Sequence, residues 1–187
     1  MDATYHPLIA DRWPDFETLF GANGACAGCW CMWWRLQRRT FRGQRGDANR
    51  RAMHRLVLSG PPPGLLAYRD GVAVGWCAIG MRSDFEGLKG SRLLKPVDAL
   101  PVWSLPCFFV AREHRRQGIM QGLIKAAVDH VRAAGGTTVV AYPRVPPQSK
   151  VRGSEYYTGF AATFANLGFV ECAAPSDSRR IMRLHLV

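Results

Sequence analysis

The stretch that most restricts the fold runs from Val102 to Gly136, "VWSLPCFFVAREHRRQGIMQGLIKAAVDHVRAAGG". An apolar run leads into a basic turn holding one glycine. Apolar residues at helical spacing follow from Gly118 to about Ala134, and Gly135-Gly136 ends them. A second apolar run, "TTVVAY", comes next. Strand, helix and strand in this order, set among antiparallel hairpins, call for a mixed α/β sheet. Pro106 interrupts the first strand; proline cannot donate to a ladder, so a bulge or a break in pairing is expected there.

The flanking sequence supplies those hairpins. "GLLAYRDGVAVGWCAIG" places two β-rich runs around Asp70-Gly71, the dipeptide that a tight primed turn favours. At the C-terminus "FVECAA" and "RRIMRLHLV" read as an antiparallel pair. Trp13, Phe16, Leu19 and Phe20 share one face of a short helix that "GANG" ends. A second helix is expected from Asp47 as N-cap, carrying Met53, Leu56 and Val57 until "SGPPPG" stops it. "MRSDFEGLKGSRLLKPVDALP" reads as a long loop, "PRVPPQSKVRGSE" as a proline-rich loop, and "YYTGFAATFANLG" as a last helix with Gly168 as its stop. The predicted order is helix, helix, hairpin, strand, helix, strand, helix and two strands.

A chain of 187 residues, 48% hydrophobic, suits one domain over residues 1–187 with a proper core. Its apolar runs are too short to span a membrane. "MDATYHPLIADRW" shows no basic segment leading into an apolar one, so a cytoplasmic location is expected. In that setting Cys26, Cys29, Cys31, Cys77, Cys107 and Cys172 are expected as thiols.

The turn "RRQGIM" carries the chemistry. A helix start exposes unpaired N–H groups and the positive end of the helix dipole, which together bind phosphate. Gly118 lets the backbone approach an anion, and Arg115 and Arg116 add charge-assisted hydrogen bonds. A formal charge of +11 draws anions to the surface, but nucleic acid, anionic metabolites and phosphate-bearing cofactors all satisfy it.

With its element order, this turn resembles the GNAT superfamily of N-acetyltransferases, whose cofactor loop reads Arg/Gln-x-x-Gly-x-Gly/Ala. Here the pattern falls on Arg115, Arg116, Gln117, Gly118, Ile119 and Met120, and "NLGF" at 166–169 is similar to the turn after the family's last helix. The resemblance implies a GNAT-like acyl-CoA N-acyltransferase fold with a splayed central mixed sheet flanked by helices. Acetyl-CoA would lie in a V-shaped opening along Phe108, Phe109 and Val110. The loop from Arg115 to Met120 would hold its pyrophosphate, and the Phe108 N–H would polarise the acetyl carbonyl while an amine attacks directly.

Several positions depart from the family pattern. Met120 stands where glycine or alanine is usual, so its side chain must turn away from the phosphates or crowd them. Phe164 replaces the tyrosine that donates a proton to the departing thiolate, and Ser104 replaces a glutamate base. Tyr142, at the end of "VVAY", and Tyr156 and Tyr157, at the start of the last predicted helix, are the candidates to substitute as proton donor, with packing or substrate contact as the alternative for each. The thiolate can also take its proton from solvent. Cys107 could carry an acyl group, although burial is the plainer role for it.

"CAGCWCMWWR" offers either packing under the sheet or, through Trp30 and Trp33, an aromatic wall for a cationic amine acceptor. Cys26, Cys29 and Cys31 lack a second cysteine pair or a close histidine, so no metal is expected. Eight arginines between Arg35 and Arg55 face one acid, Asp47, as a solvated face or an anion-binding one. No nucleic-acid motif matches. The partner expected is a small-molecule or peptide amine. A non-catalytic acyl-CoA binder and a basic nucleic-acid module are the alternatives, and the oligomeric state is open, a homodimer included.

Overall fold

The computed structural model describes residues 3–146 and 157–186. Two sheets form. One has the order β1 (Thr4–Pro7), β2 (Gly64–Arg69), β3 (Val72–Ala78) and β6 (Phe108–Val110), antiparallel throughout. The other runs β4 (Gly80–Met81), β5 (Trp103–Leu105), β7 (Thr138–Ala141), β9 (Arg179–His185) and β8 (Val170–Ser176). Within it β5 and β7 are parallel, joined through helix α5 (Ile119–Ala133). The mixed α/β architecture expected from the strand–helix–strand unit is the one present.

The run "VWSLPCFFV" is two strands. Pairing stops at Pro106, and the chain changes sheets: Ser104 lies opposite Val140 in one, and Phe109 opposite Trp76 in the other. Among the described residues β6 pairs with no strand but β3, so its other edge carries no ladder. The splay is built at that proline.

Both faces of the sheets are covered. Along β7, Val139 and Ala141 pack with Leu123, Ile124, Ala127 and Val131 of α5, while Val140 and Tyr142 join the opposite core. That core is aromatic: Phe16 and Phe20 of α1 (Trp13–Phe20) meet Trp76 of β3 at ring-centroid separations of 5.1 and 6.1 Å. The hairpin turn is as expected, with φ positive at both Asp70 (51°) and Gly71 (78°).

Four expectations need correction. The chain opens with a strand, β1, whose four residues include a proline and show no alternation. Helix α3 (Asp47–Ser59) has Gly46 as its N-cap, because the Asp47 carboxylate turns outward to Arg50 and Arg51 instead of capping. The predicted loop after Met81 holds a 3₁₀ turn, Arg82–Asp84, and a single helical turn, α4 (Glu86–Lys89). The last helix is only α6 (Ala161–Ala165). Gly159 is left-handed and Phe160 extended, bridged to Arg144, so Tyr157 precedes the helix. A further short helix, α2 (Arg38–Gly43), carries part of the arginine run. Among the described residues no helix is long and apolar enough to cross a membrane.

Candidate functional site

The turn before α5 has the shape an anion needs. Gly118 caps the helix in the left-handed conformation (φ 80°, ψ −5°), and open space lies where its Cβ would be. The amides at the start of α5, from Ile119 onward, are the ones a helix leaves without internal partners. Arg115, Arg116 and Gln117 are exposed around them. Arg115 Nε donates to the Val110 carbonyl at 2.9 Å, and Gln117 Nε2 to the Glu113 carbonyl at 2.8 Å, which hold the turn against β6. Ile119 is buried under the sheet and anchors the helix. Met120 points away from the turn: its thioether end lies beside Gly159, next to Phe164. Crowding of the turn by that side chain is thereby avoided.

The opening between β6 and the end of β7 is reached by main-chain groups of Phe108 and Val110. Ala78 N–H and Ala111 N–H close the ladder toward β3, so Phe108 and Val110 face the other way. The Phe108 N–H is engaged there: it donates to the Tyr157 carbonyl at 2.6 Å. An acyl oxygen can use this amide only in exchange for that carbonyl. Phe164 is buried against the Phe108 ring at 6.0 Å, so this position contributes packing.

The two tyrosines lie in different settings. Tyr142 is 1% exposed, and its hydroxyl lies 2.9 Å from Ser104 Oγ, which joins two positions singled out separately in the sequence. Burial raises its pKa. Tyr157 stands at the opening. Its hydroxyl accepts a hydrogen bond from Trp33 Nε1 at 3.0 Å, leaving its own proton to donate. Burial, then the neighbouring Cys107, raises its pKa as well. Tyr156 lies outside the described residues.

Trp30 is 7% exposed, packed between Phe16 and Phe20, and offers no wall to a ligand. Trp33 is half-buried, with the Arg38 guanidinium 4.6 Å from its ring centroid. The loop that delivers both is strained. Ala25, Ala27, Trp30 and Cys31 all have positive φ, a conformation costing about 1–3 kcal/mol per residue that persists only where surroundings impose it. Cys31 and Cys107 meet with sulfurs 3.1 Å apart. Bonding to Cys31, then burial, pushes the Cys107 thiol well up, which keeps it protonated and a poor nucleophile. Among the described residues no cluster of histidine, cysteine or acidic side chains is disposed to hold a metal.

Sequence reading missed Arg179. Its buried guanidinium donates to the Tyr142 carbonyl at 2.9 Å and to Thr158 Oγ1 at 2.7 Å, tying the end of β7 to the turn that carries Tyr157. In "RRIMRLHLV" it looks like any charged residue of an alternating strand.

The buried thiols set a pH limit. Burial, then Cys31, pushes the Cys29 thiol from its ordinary value of 9.0 up to about 12, and Cys77 and Cys107 are raised too. A pKa higher in the folded than in the unfolded state leaves stability intact below the unfolded value and removes it as pH rises toward the folded one. The urea midpoint should therefore fall progressively from about pH 9, where the raised thiols ionise on unfolding. Cys31, where burial is outweighed by the bond to Cys107 so that its pKa is lowered, acts in the opposite sense. A midpoint still unchanged at about pH 10.5 would show that these thiols are not buried in the folded protein.

Comparisons with known proteins agree with this geometry. The sequence model of the acetyltransferase (GNAT) family matches residues 30–150. Comparison with curated protein sequences returns no significant match. Among solved structures, the chain is similar to an N-acetyltransferase from Staphylococcus aureus Mu50 (11% identity, 99% of each chain covered, TM-score 0.58). It is also similar to a ribosomal-protein-alanine N-acetyltransferase from Brucella melitensis (17% identity, 98% of this chain and 99% of that one, TM-score 0.56). The PaiA N-acetyltransferase from Thermoplasma acidophilum, in complex with coenzyme A, is a third (13% identity, 100% of each, TM-score 0.55). At such identities the likeness concerns the fold.

Proposed function

Because the chain belongs to the acetyltransferase (GNAT) family, and so moves an acetyl group from acetyl-CoA to an amine, we propose that transfer occurs by direct attack at the opening between β6 and the end of β7. The observation that carries this reading is the left-handed Gly118 turn, open to solvent, at the start of α5. The main-chain amides from Gly118 to Met120, with Arg115, Arg116 and Gln117, hold the diphosphate. Phe108 and Val110 offer strand edge to the pantetheine arm, while Phe109, expected with them, pairs with Trp76 and faces β3. The substrate supplies an activated thioester; the protein supplies position and electrostatics.

The Phe108 N–H is the donor for charge developing on the carbonyl oxygen. It takes that role when the Tyr157 carbonyl moves off it. The Tyr157 hydroxyl, already accepting from Trp33, is the group free to donate toward a departing thiolate. A thiol is the stronger acid, and burial weakens the phenol further, so Tyr157 stabilises the thiolate through a hydrogen bond and keeps its proton. Tyr142, locked to Ser104, holds the end of β7. Direct attack agrees with the protonated, buried Cys107. Residues 1–187 act as one domain in this reading, and six free cysteines support a cytoplasmic location.

Replacing the Tyr157 hydroxyl tests the assignment. Tyr157→Phe should lower kcat about tenfold or more, with KM for acetyl-CoA within about twofold of the parent. An unchanged kcat would remove the tyrosine from the chemistry. The function as a whole is tested by calorimetric titration with acetyl-CoA and by a panel of amines assayed for release of free thiol. Binding together with release from at least one amine is expected. Binding without release across the panel would leave an acyl-CoA binder that does no transfer.

A further inference from the structure

The arginine run divides once its partners are known. Arg35 donates to the carbonyls of Pro63 and Ile79, Arg50 and Arg51 bind Asp47, and Arg45 lies over Phe41. Among the described residues, Arg38 and Arg39 of α2 have no carboxylate within ion-pair distance, nor has Arg92. These three line one cavity of about 720 Å³ between α2 and the segment 86–93. The acid in its wall, Glu86, is taken by Lys89 at 2.6 Å. Three unpaired cations and one Lys89–Glu86 pair thus face a hollow of the size that small ligands occupy.

A chain of contacts leads from the cavity wall to the proposed reaction site. Arg38, in its wall, stacks on Trp33; Trp33 bonds the Tyr157 hydroxyl; and the Tyr157 carbonyl sits on the Phe108 amide. Trp33 and Arg38 thus stand between the cavity and the Tyr157 turn, where a ligand's amine end would meet them.

We infer that the acceptor is a small amine that also carries an anionic group, a carboxylate or a phosphate, and that Arg38, Arg39 and Arg92 hold this group in the cavity between α2 and residues 86–93. The inference rests on the acetyl-transfer reading of the Phe108 opening. Unpaired guanidiniums recognise planar carboxylates and phosphates through paired hydrogen bonds. The arginines ring one half-open concavity of ligand size, with no stripe of charge long enough to follow a nucleic-acid backbone, which favours a small molecule.

Two matched pairs of probes test it: 4-aminobutyrate against 1-aminobutane, and 2-aminoethyl phosphate against ethanolamine. Each is titrated by NMR into the full chain and then assayed for thiol release from acetyl-CoA. At least one anionic member should bind about tenfold or more tighter than its uncharged-tail partner. The doubly substituted variant R39E/R92E should lose that preference while its affinity for acetyl-CoA, read by calorimetry, is retained. The better-bound pair tells carboxylate from phosphate. Equal binding within both pairs, or a preference that survives R39E/R92E, overturns the inference alone. Loss of acetyl-CoA binding by the parent protein would instead overturn the transfer reading. A single-stranded oligonucleotide that binds more tightly than any probe, and is released by R39E/R92E, would assign the cations to nucleic acid and overturn the small-molecule acceptor.

Discussion

Gly118→Asp should raise the Kd for acetyl-CoA at least about 100-fold, with the far-UV spectrum and the unfolding midpoint little changed. Space is open where the new side chain would go, and aspartate is well suited to a helix N-cap and tolerates left-handed backbone. The fold therefore survives. The carboxylate would stand against the diphosphate. Two unit charges about 4 Å apart repel by about 4 kcal/mol at an effective dielectric constant near 20. Even with substantial salt screening, the remainder exceeds the ~2.7 kcal/mol that a 100-fold change requires. Gly118→Asn, equal in shape and uncharged, should cost no more than about tenfold, which separates charge from conformation. Equal losses in the two variants would mean that the backbone, and not an anion, explains the glycine.

The second large effect concerns the core. Trp76 is fully buried between the aromatic rings of α1 and the first sheet. Trp76→Ala should cost about 3–5 kcal/mol. That is a large share of the roughly 5–15 kcal/mol typical of a folded domain. Urea denaturation should show a midpoint lowered by at least about a fifth, or no folded baseline. A loss under about 1 kcal/mol would mean that this aromatic core does not support the sheet. Trp33→Ala, on the half-buried ring at the opening, is a milder change by the same reasoning.

Signals that act locally were legible in the sequence. Asp70-Gly71 demands positive φ at both positions, and both have it. Gly118 and the apolar spacing after it define α5 without help from distant residues, and Pro106 interrupts a ladder wherever it is placed. Signals settled by distant partners were not. The strand "TYHP" is an edge strand set by its register with Leu65–Tyr68 and by the packing of Tyr5 against α5. Asp47 looks like a cap until Arg50 and Arg51 claim its carboxylate. The last helix reads longer than it is because the bridge between Phe160 and Arg144 holds the chain extended.

The same division applies to the site. The turn from Arg115 to Met120 was readable residue by residue. The contact of Tyr157 with Phe108, the pairing of Tyr142 with Ser104 and the anchoring by Arg179 all join residues far apart in the chain. No local spacing announces them. Trp30 and Trp33, three residues apart in one aromatic run, are core and opening respectively, because a strained loop turns one inward.

Residue-resolved NMR during titration with acetyl-CoA probes the central claim most directly. The largest amide shifts should fall on Gly118, Ile119 and Met120, with the Phe108 amide following as its bond to the Tyr157 carbonyl is exchanged. Saturable binding that leaves those four amides unmoved would place the diphosphate elsewhere and contradict the account.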